Sequence, residues 1–190
     1  MAKGQAQVFV GMGGNFASAT PDRKFTERAL RTCKLTVHVS TKLNRSHLIH
    51  GEQALILPCL GRTEIDMQTT GPQSITVEDS MSCVHASSGR NSPASKDLRS
   101  EPAVVAGIAK ATLKNSPVDW DELVADYSRI RDCIEQVLPA FAGYNEKIQN
   151  REDLHCATVL VIANGIRSPG KPTSSYTPFR ILPCRMDSFD

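Results

Sequence analysis

"LTVHVSTKLNRSH" (residues 35–47) sets an apolar, β-branched run directly against a segment rich in hydrogen-bond donors. The first five residues read as a strand and the rest as a polar connection, with a helical turn expected after Asn44. The same contrast recurs on both sides. "AQVFV" (6–10) is a strand closed by Gly11, and the loop "GMGGNFASATPD" (11–22) follows it. "ALILP" (54–58) is a third strand, stopped by Pro58. Between the first two, Thr20 is placed to cap a helix, with Pro21 at its first position and Asp22 at its positive end. Phe25, Ala29, Leu30 and Cys33 then share one helical face. Strand, helix, strand, turn, strand implies parallel pairing with right-handed crossovers. The strands are apolar on both faces, as expected when helices cover both sides of a sheet.

Beyond Gly61 the pattern changes. Residues 61–97 are rich in Gly, Ser, Thr and Pro, and only "SITVE" (74–78) reads as a strand. A structureless stretch of that length is unusual in a compact domain unless it works on a ligand or partner. Ser100 opens a helix with Pro102 in its first turn, and Val105, Ile108, Ala109 and Thr112 share a face. Asp119 caps a helix running through "WDELVADYSRIRDCIEQVL" (120–138), with Leu123, Tyr127, Ile130, Ile134 and Val137 as its core stripe and Pro139 closing it. From Leu154 the chain shows one apolar run, "ATVLVIA", and then no period.

Bulk properties narrow the function. The chain has 190 residues and a formal net charge of +2, with charges of both signs scattered along it. That argues against general electrostatic binding of nucleic acid. No run of about 18 apolar residues suggests a membrane span, and no signal-like segment stands at the start, so a cytoplasmic chain is expected. Six cysteines are present, none in a C-x-x-C pair, which points to small buried residues and loop thiols rather than a metal centre. His38 lies inside a strand; His47 and His50 lack a third ligand. Glu64 and Asp66 form a carboxylate pair that offers acid or base chemistry, with a solvated loop as the plainer reading.

In an open parallel sheet, ligands bind beyond the C-terminal ends of the strands. Both polar loops lie there. Gly11, Gly13 and Gly14 permit positive φ and close backbone approach. Ser40, Thr41, Lys42, Asn44, Arg45 and Ser46 supply donors suited to phosphate oxygens. Together the loops suit a nucleotide or dinucleotide. The plainer alternatives are a tight strand-to-helix turn for the glycines and solvated surface charge for Lys42 and Arg45.

"GMGGNFASATPD", "LTVHVSTKLNRSH", "ALILPCLGRTEIDMQTTGPQSITVEDSMS" and "VHASSGRNSPASKDLRSE" resemble the molybdopterin oxidoreductases. The subgroup is the formate-dehydrogenase-like alpha subunits of the dimethyl sulfoxide reductase superfamily. Gly13, Asn15, Ser18, Pro21 and Asp22 match the superfamily's Gly-x-Asn loop with its following Ser and Pro-Asp. The resemblance runs from about Gln5 to Glu152. It implies an incomplete Rossmann-like three-layer α/β domain with a mostly parallel sheet over residues 1–152, and an atypical tail over 153–190. It also implies a bis(molybdopterin guanine dinucleotide) cofactor carrying molybdenum. Gly13, Gly14, Asn15 and Ser18 are then expected near its nucleotide, with Ser40, Thr41, Lys42, Asn44 and Ser46 at its phosphates or sugar. A full family member is several times longer and can carry a 4Fe-4S cluster in an N-terminal region that has no counterpart in this sequence. The expectation is therefore a fragment, or one piece of a split oxidoreductase whose other parts are its partners, with no catalytic residue of its own. A frameshift near Asp153 or disorder is the expected reason for the atypical tail. The alternatives are a stand-alone α/β nucleotide-binding module and a remnant without catalysis.

Overall fold

A three-stranded parallel sheet stands at the centre of the computed structural model, which describes residues 1–80 and 84–149. Its order is β1 (Val8–Met12), β2 (Leu35–Ser40), β3 (Gln53–Pro58), in register with Val10 beside Val37 and Val37 beside Leu55. Helices α1 (Phe16–Ala19) and α2 (Arg23–Arg31) connect the first two strands, and a 3-10 turn, Arg45–Leu48, lies between the second and third. Side chains alternate across the sheet. Phe9, Thr36 and His38 fall on the face under the helices, where Phe9 packs on Ala17, Leu30 and Ile49. Val8, Val10, Met12, Val37, Val39, Leu55 and Leu57 share the opposite face. This is the expected open, Rossmann-like α/β arrangement.

Several local expectations change. Helix α2 is capped by Asp22, whose carboxylate accepts from the Phe25 N–H at 2.8 Å, and not by Thr20. Two candidate caps stand two residues apart, and the charged acceptor beyond Pro21 takes the role. Ala29, Leu30 and Cys33 are buried as expected, while Phe25 is half exposed. Only the middle strand meets the expectation of burial on both faces. Thr36, Val37, His38 and Val39 are buried, whereas Leu55 and Ile56, on opposite faces of β3, are both exposed.

The stretch after Gly61 is more ordered than its composition suggests. It holds two antiparallel hairpins, β4 (Met67–Gln68) with β5 (Gly71–Pro72), and β6 (Ile75–Glu78) with β7 (Val84–Ser87). A parallel bridge from Cys59 to Arg99 ties this region back beside the end of β3. Helix α3 (Glu101–Thr112) starts at Ser100 as expected, but it buries Ala106 and Ala109 and leaves Val105 and Ile108 exposed.

The long helix expected over 120–138 is two helices, α4 (Trp120–Ala125) and α5 (Tyr127–Val137), broken at Asp126. The β4–β5 hairpin takes the backbone groups needed to continue. Thr70 donates to the Ala125 carbonyl through both its N–H and its hydroxyl, and Gln73 Oε1 accepts from the Tyr127 N–H at 2.8 Å. Asp126 turns extended and caps α5 through the Ser128 N–H. Of the expected core stripe, Tyr127 is buried, while Ile134 and Val137 are exposed. A 3-10 turn at Pro139–Phe141 leads to α6 (Tyr144–Gln149), where Tyr144 packs on Val84. The expected tail over 153–190 lies outside the described residues. Among the described residues no helix is long and apolar enough to cross a membrane.

Candidate functional site

Strands β1 and β2 end side by side, which brings the two polar loops together. After Met12 the backbone turns through Gly13 and Gly14, with φ of 63° and 64°. That left-handed conformation is open to glycine at little cost. The Gly13 N–H donates to the Val39 carbonyl at 2.8 Å and anchors the turn on β2. No heavy atom lies within 4 Å of the point where a side chain on Gly14 would start, so the turn forms a bare shelf.

Asn15, Asn44 and Ser46 stitch the loops to one another. The buried Ser46 hydroxyl donates to Asn15 Oδ1 at 2.9 Å and accepts from the Ala17 N–H at 3.0 Å. Asn44 Nδ2 donates to the Gly14 carbonyl at 2.7 Å, and Asn44 Oδ1 accepts from the Ser46 N–H at 2.9 Å. His47 Nδ1 accepts from the Asn44 N–H at 3.0 Å, completing a reciprocal cap of the 3-10 turn. The bonds among Asn15, Asn44, Ser46 and the backbone use neutral groups only, and together they join the two loops into one strand-end platform.

The nine residues expected at a nucleotide therefore divide. Gly13, Gly14, Asn15, Asn44 and Ser46 are interlocked, and Ser40 turns the chain by donating to the Lys42 carbonyl at 2.7 Å. Thr41 and Lys42 are exposed, and Ser18 is half-buried on α1. Lys42 makes no ion pair among the described residues. Arg45 pairs with Glu27 on α2 at 3.1 Å and so serves the helix.

A cavity of about 570 Å³ opens beside the platform, beyond the ends of β2 and β3, with Thr41 in its wall. Arg62, Glu64, Ser87, Ser100 and Glu101 are among its other lining residues. A carboxylate oxygen of Glu101 lies 3.8 Å from where a Gly13 side chain would start, so Glu101 adjoins both the shelf and the cavity. Arg62 is held by a 3.4 Å bond from its Nε to the Ser87 hydroxyl. Of these, Glu64 was singled out in the sequence as a carboxylate and Ser100 as a helix cap; Arg62 and Ser87 carried a signal only through the polar composition of 61–97, and Glu101 carried none.

The carboxylate pair does structural work. Glu64 accepts from the Gly61 and Ala94 N–H groups, both at 2.6 Å, and these bonds hold its carboxyl below the usual range. Asp66 accepts from the Tyr127 hydroxyl and from Gln68 Nε2. The same phenol oxygen accepts from the Ser100 hydroxyl at 2.7 Å, and burial followed by the Asp66 bond pushes it well above the usual tyrosine value. Cys59 is buried, and burial followed by the nearby Glu101 and Glu64 raises its thiol pKa, which disfavours a nucleophilic thiolate. Among the described residues no group of three or more His, Cys, Asp or Glu could hold a metal ion.

Known proteins supply a frame. YdeP of Escherichia coli (strain K12) is 56% identical over 168 residues, which is 88% of this chain and 22% of that protein. An uncharacterized oxidoreductase of Mycobacterium tuberculosis (strain H37Rv) is 53% identical over 185 residues, 96% of this chain and 24% of its own length. The chain thus spans about a quarter of the length of the curated relatives it matches. The mycobacterial match extends past residue 152. No family model matches the sequence, and no solved structure matches it.

Proposed function

We propose that this chain forms the nucleotide-holding α/β part of a molybdenum-dependent oxidoreductase of the formate-dehydrogenase-like type. In this reading it cradles one guanine dinucleotide half of a bis(molybdopterin guanine dinucleotide) cofactor. The observation that carries the reading is the interlocked platform at the ends of β1 and β2. A bare glycine turn lies there beside the loop that carries the exposed Thr41 and Lys42, where an open parallel sheet binds its ligands. The relatives support the reading, since one of them bears the name oxidoreductase.

The residues present fit such a group. Gly13 and Gly14 leave room for close approach of a phosphate to the backbone. Lys42 and Thr41 offer a charge and a hydroxyl to phosphate oxygens. Glu101 offers an acceptor for ribose hydroxyls or for the N–H groups of guanine. Asn15, Asn44 and Ser46 position these groups through the bonds between the loops. When bound, the cofactor supplies two-electron chemistry at molybdenum; this chain binds and orients the nucleotide, and we assign it no catalytic residue.

Calorimetry with guanosine diphosphate tests the reading. Binding that falls at least ten-fold in Lys42→Ala, with an unchanged melting curve, supports it. A cooperatively folded chain that shows no nucleotide binding overturns it. Equal affinity for adenosine and guanosine diphosphates would favour a general nucleotide module instead.

A further inference from the structure

We infer that the His38–His47 pair is a proton-sensitive clasp on the strand-end platform: neutral, it locks the two loops together, and a proton taken up by the pair releases them. The reciprocal cap at Asn44 is ordinarily closed by Glu or Gln at the third position of the turn. Here that position holds His47, and histidine is the side-chain type whose charge changes near neutral pH. Its Nδ1 accepts from the Asn44 N–H at 3.0 Å, and a proton on that nitrogen removes the acceptor. Once protonated, Nδ1 can only donate, to the Asn44 carbonyl 3.2 Å away, which already accepts from the His47 N–H. The Asn44 N–H is then left without its partner. Asn44 is also the residue that reaches across to the Gly14 carbonyl and holds the Ser46 N–H, so loosening it frees one loop from the other.

The surroundings set the direction. His38 is buried, with the His47 ring at 4.9 Å between centroids and the Phe9 ring at 5.7 Å. The Nε2 atoms of both histidines are buried and have no hydrogen-bond partner among the described residues. An added proton therefore brings charge to a place with no group to receive it. Strands β1 and β3 and helix α1 carry no titratable side chain, and β2 carries none besides His38. The 3-10 turn adds Arg45, and α2 adds Glu27, which is engaged with Arg45. The other charges of α2, Arg23, Lys24, Arg28 and Arg31, are positive. Met1, with its positive amino group, packs on the same cluster as Phe9. His50 follows the turn and bonds the Gly51 carbonyl, and Glu101 adjoins Gly13 at the far side of the platform. Burial, then the charge of His47, lowers the His38 pKa, in keeping with a fold that favours the neutral pair. Acid thus opens the clasp and neutral pH closes it. The clasp concerns how the loops hold each other, so the inference does not rest on the identity of any ligand.

Amide exchange and the histidine ring NMR signals of this chain test it together, with rates corrected for the intrinsic effect of pH. From about pH 7.5 to about pH 5.5, either side of the ordinary histidine value, protection of the Ala17, Asn44 and Ser46 amides should fall at least ten-fold. The β2 amides should keep theirs, and the fall should track the titration of the His38 and His47 rings. His47→Gln keeps an acceptor for the Asn44 N–H in a side chain that does not titrate, and it should hold the platform at its high-pH protection throughout. Platform protection that stays level across this range in the unaltered chain overturns the inference, whatever the variant does. So does a fall shared equally by β2, a fall that does not follow the two rings, or a fall that persists in a folded His47→Gln.

Discussion

Two polar regions of this molecule are held by different means. The loops at the ends of β1 and β2 are joined by neutral groups: Ser46, Asn15, Asn44 and the backbone at Gly14. The region after Gly61 is joined through carboxylates, with Glu64 on the Gly61 and Ala94 N–H groups and Asp66 on Tyr127. The difference suits their proposed roles. A platform meant for phosphate gains from having no fixed negative charge in its own scaffold. The neighbouring region is free to use charge-assisted bonds, which are the stronger kind.

The largest expected effect lies in the carboxylate-held region. A side chain at Gly89 would collide with the backbone of Glu64. Gly89→Ala should therefore cost about 3 kcal/mol in denaturant unfolding. A smaller cost would mean that the loop yields where the platform does not. Next comes the neutral lock itself. Ser46→Ala leaves the Ala17 N–H and the Asn15 side chain without their shared buried partner, for a loss of about 2 kcal/mol. Urea titration checks it, and a near-zero loss would show the two loops to be independent.

Acid separates the regions further. His38 is buried on β2 beside His47, with ring centroids 4.9 Å apart, and burial followed by the charge of His47 lowers its pKa. The unfolded chain then takes up a proton first as pH falls below about 6.5. Stability contributed by the neutral ring is lost from there down to the folded pKa. Melting temperatures between pH 7.5 and pH 5 should fall less steeply in His38→Gln. For Glu64 the folded pKa is also depressed. Its contribution is present above the unfolded value, about 4.3, and is lost as pH falls through the folded value. Glu64→Gln should flatten only that more acidic part of the profile.

The smallest stability effect is expected at Lys42. Lys42→Ala should leave unfolding within about 0.5 kcal/mol, because the exposed ammonium makes no ion pair among the described residues. Any larger loss would move Lys42 from the ligand's side of the platform into its scaffold.

How far the sequence could be read follows the same division. The sheet was legible because each strand is an apolar run of five residues or so, closed by glycine, proline or a polar turn. The turn after Asn44 was legible from its capping residue. Strands β4 and β5 were not, since two residues each cannot show alternation. The break at Asp126 was hidden because the stripe from Leu123 to Val137 is continuous; what breaks it is a hairpin some 55 residues away that takes the Ala125 carbonyl. At the candidate site, residue types singled out two loops that the structure brings side by side at the ends of β1 and β2. They did not tell which side chains would be spent inside the platform, because that depends on which two strand ends become neighbours.

Tyr127 carries one more consequence, and it concerns time. Its hydroxyl joins Asp66, 61 positions earlier, to Ser100, 27 positions earlier. The pairing of β1, β2 and β3 uses only residues up to Pro58, all of them synthesised before the later region. The later region cannot close until Tyr127 has emerged. Closing a loop of that size costs entropy that local contacts do not recover. The phenol thus acts as a late latch, and the residues of the strand-end platform precede in the chain most of those that wall the cavity beside it.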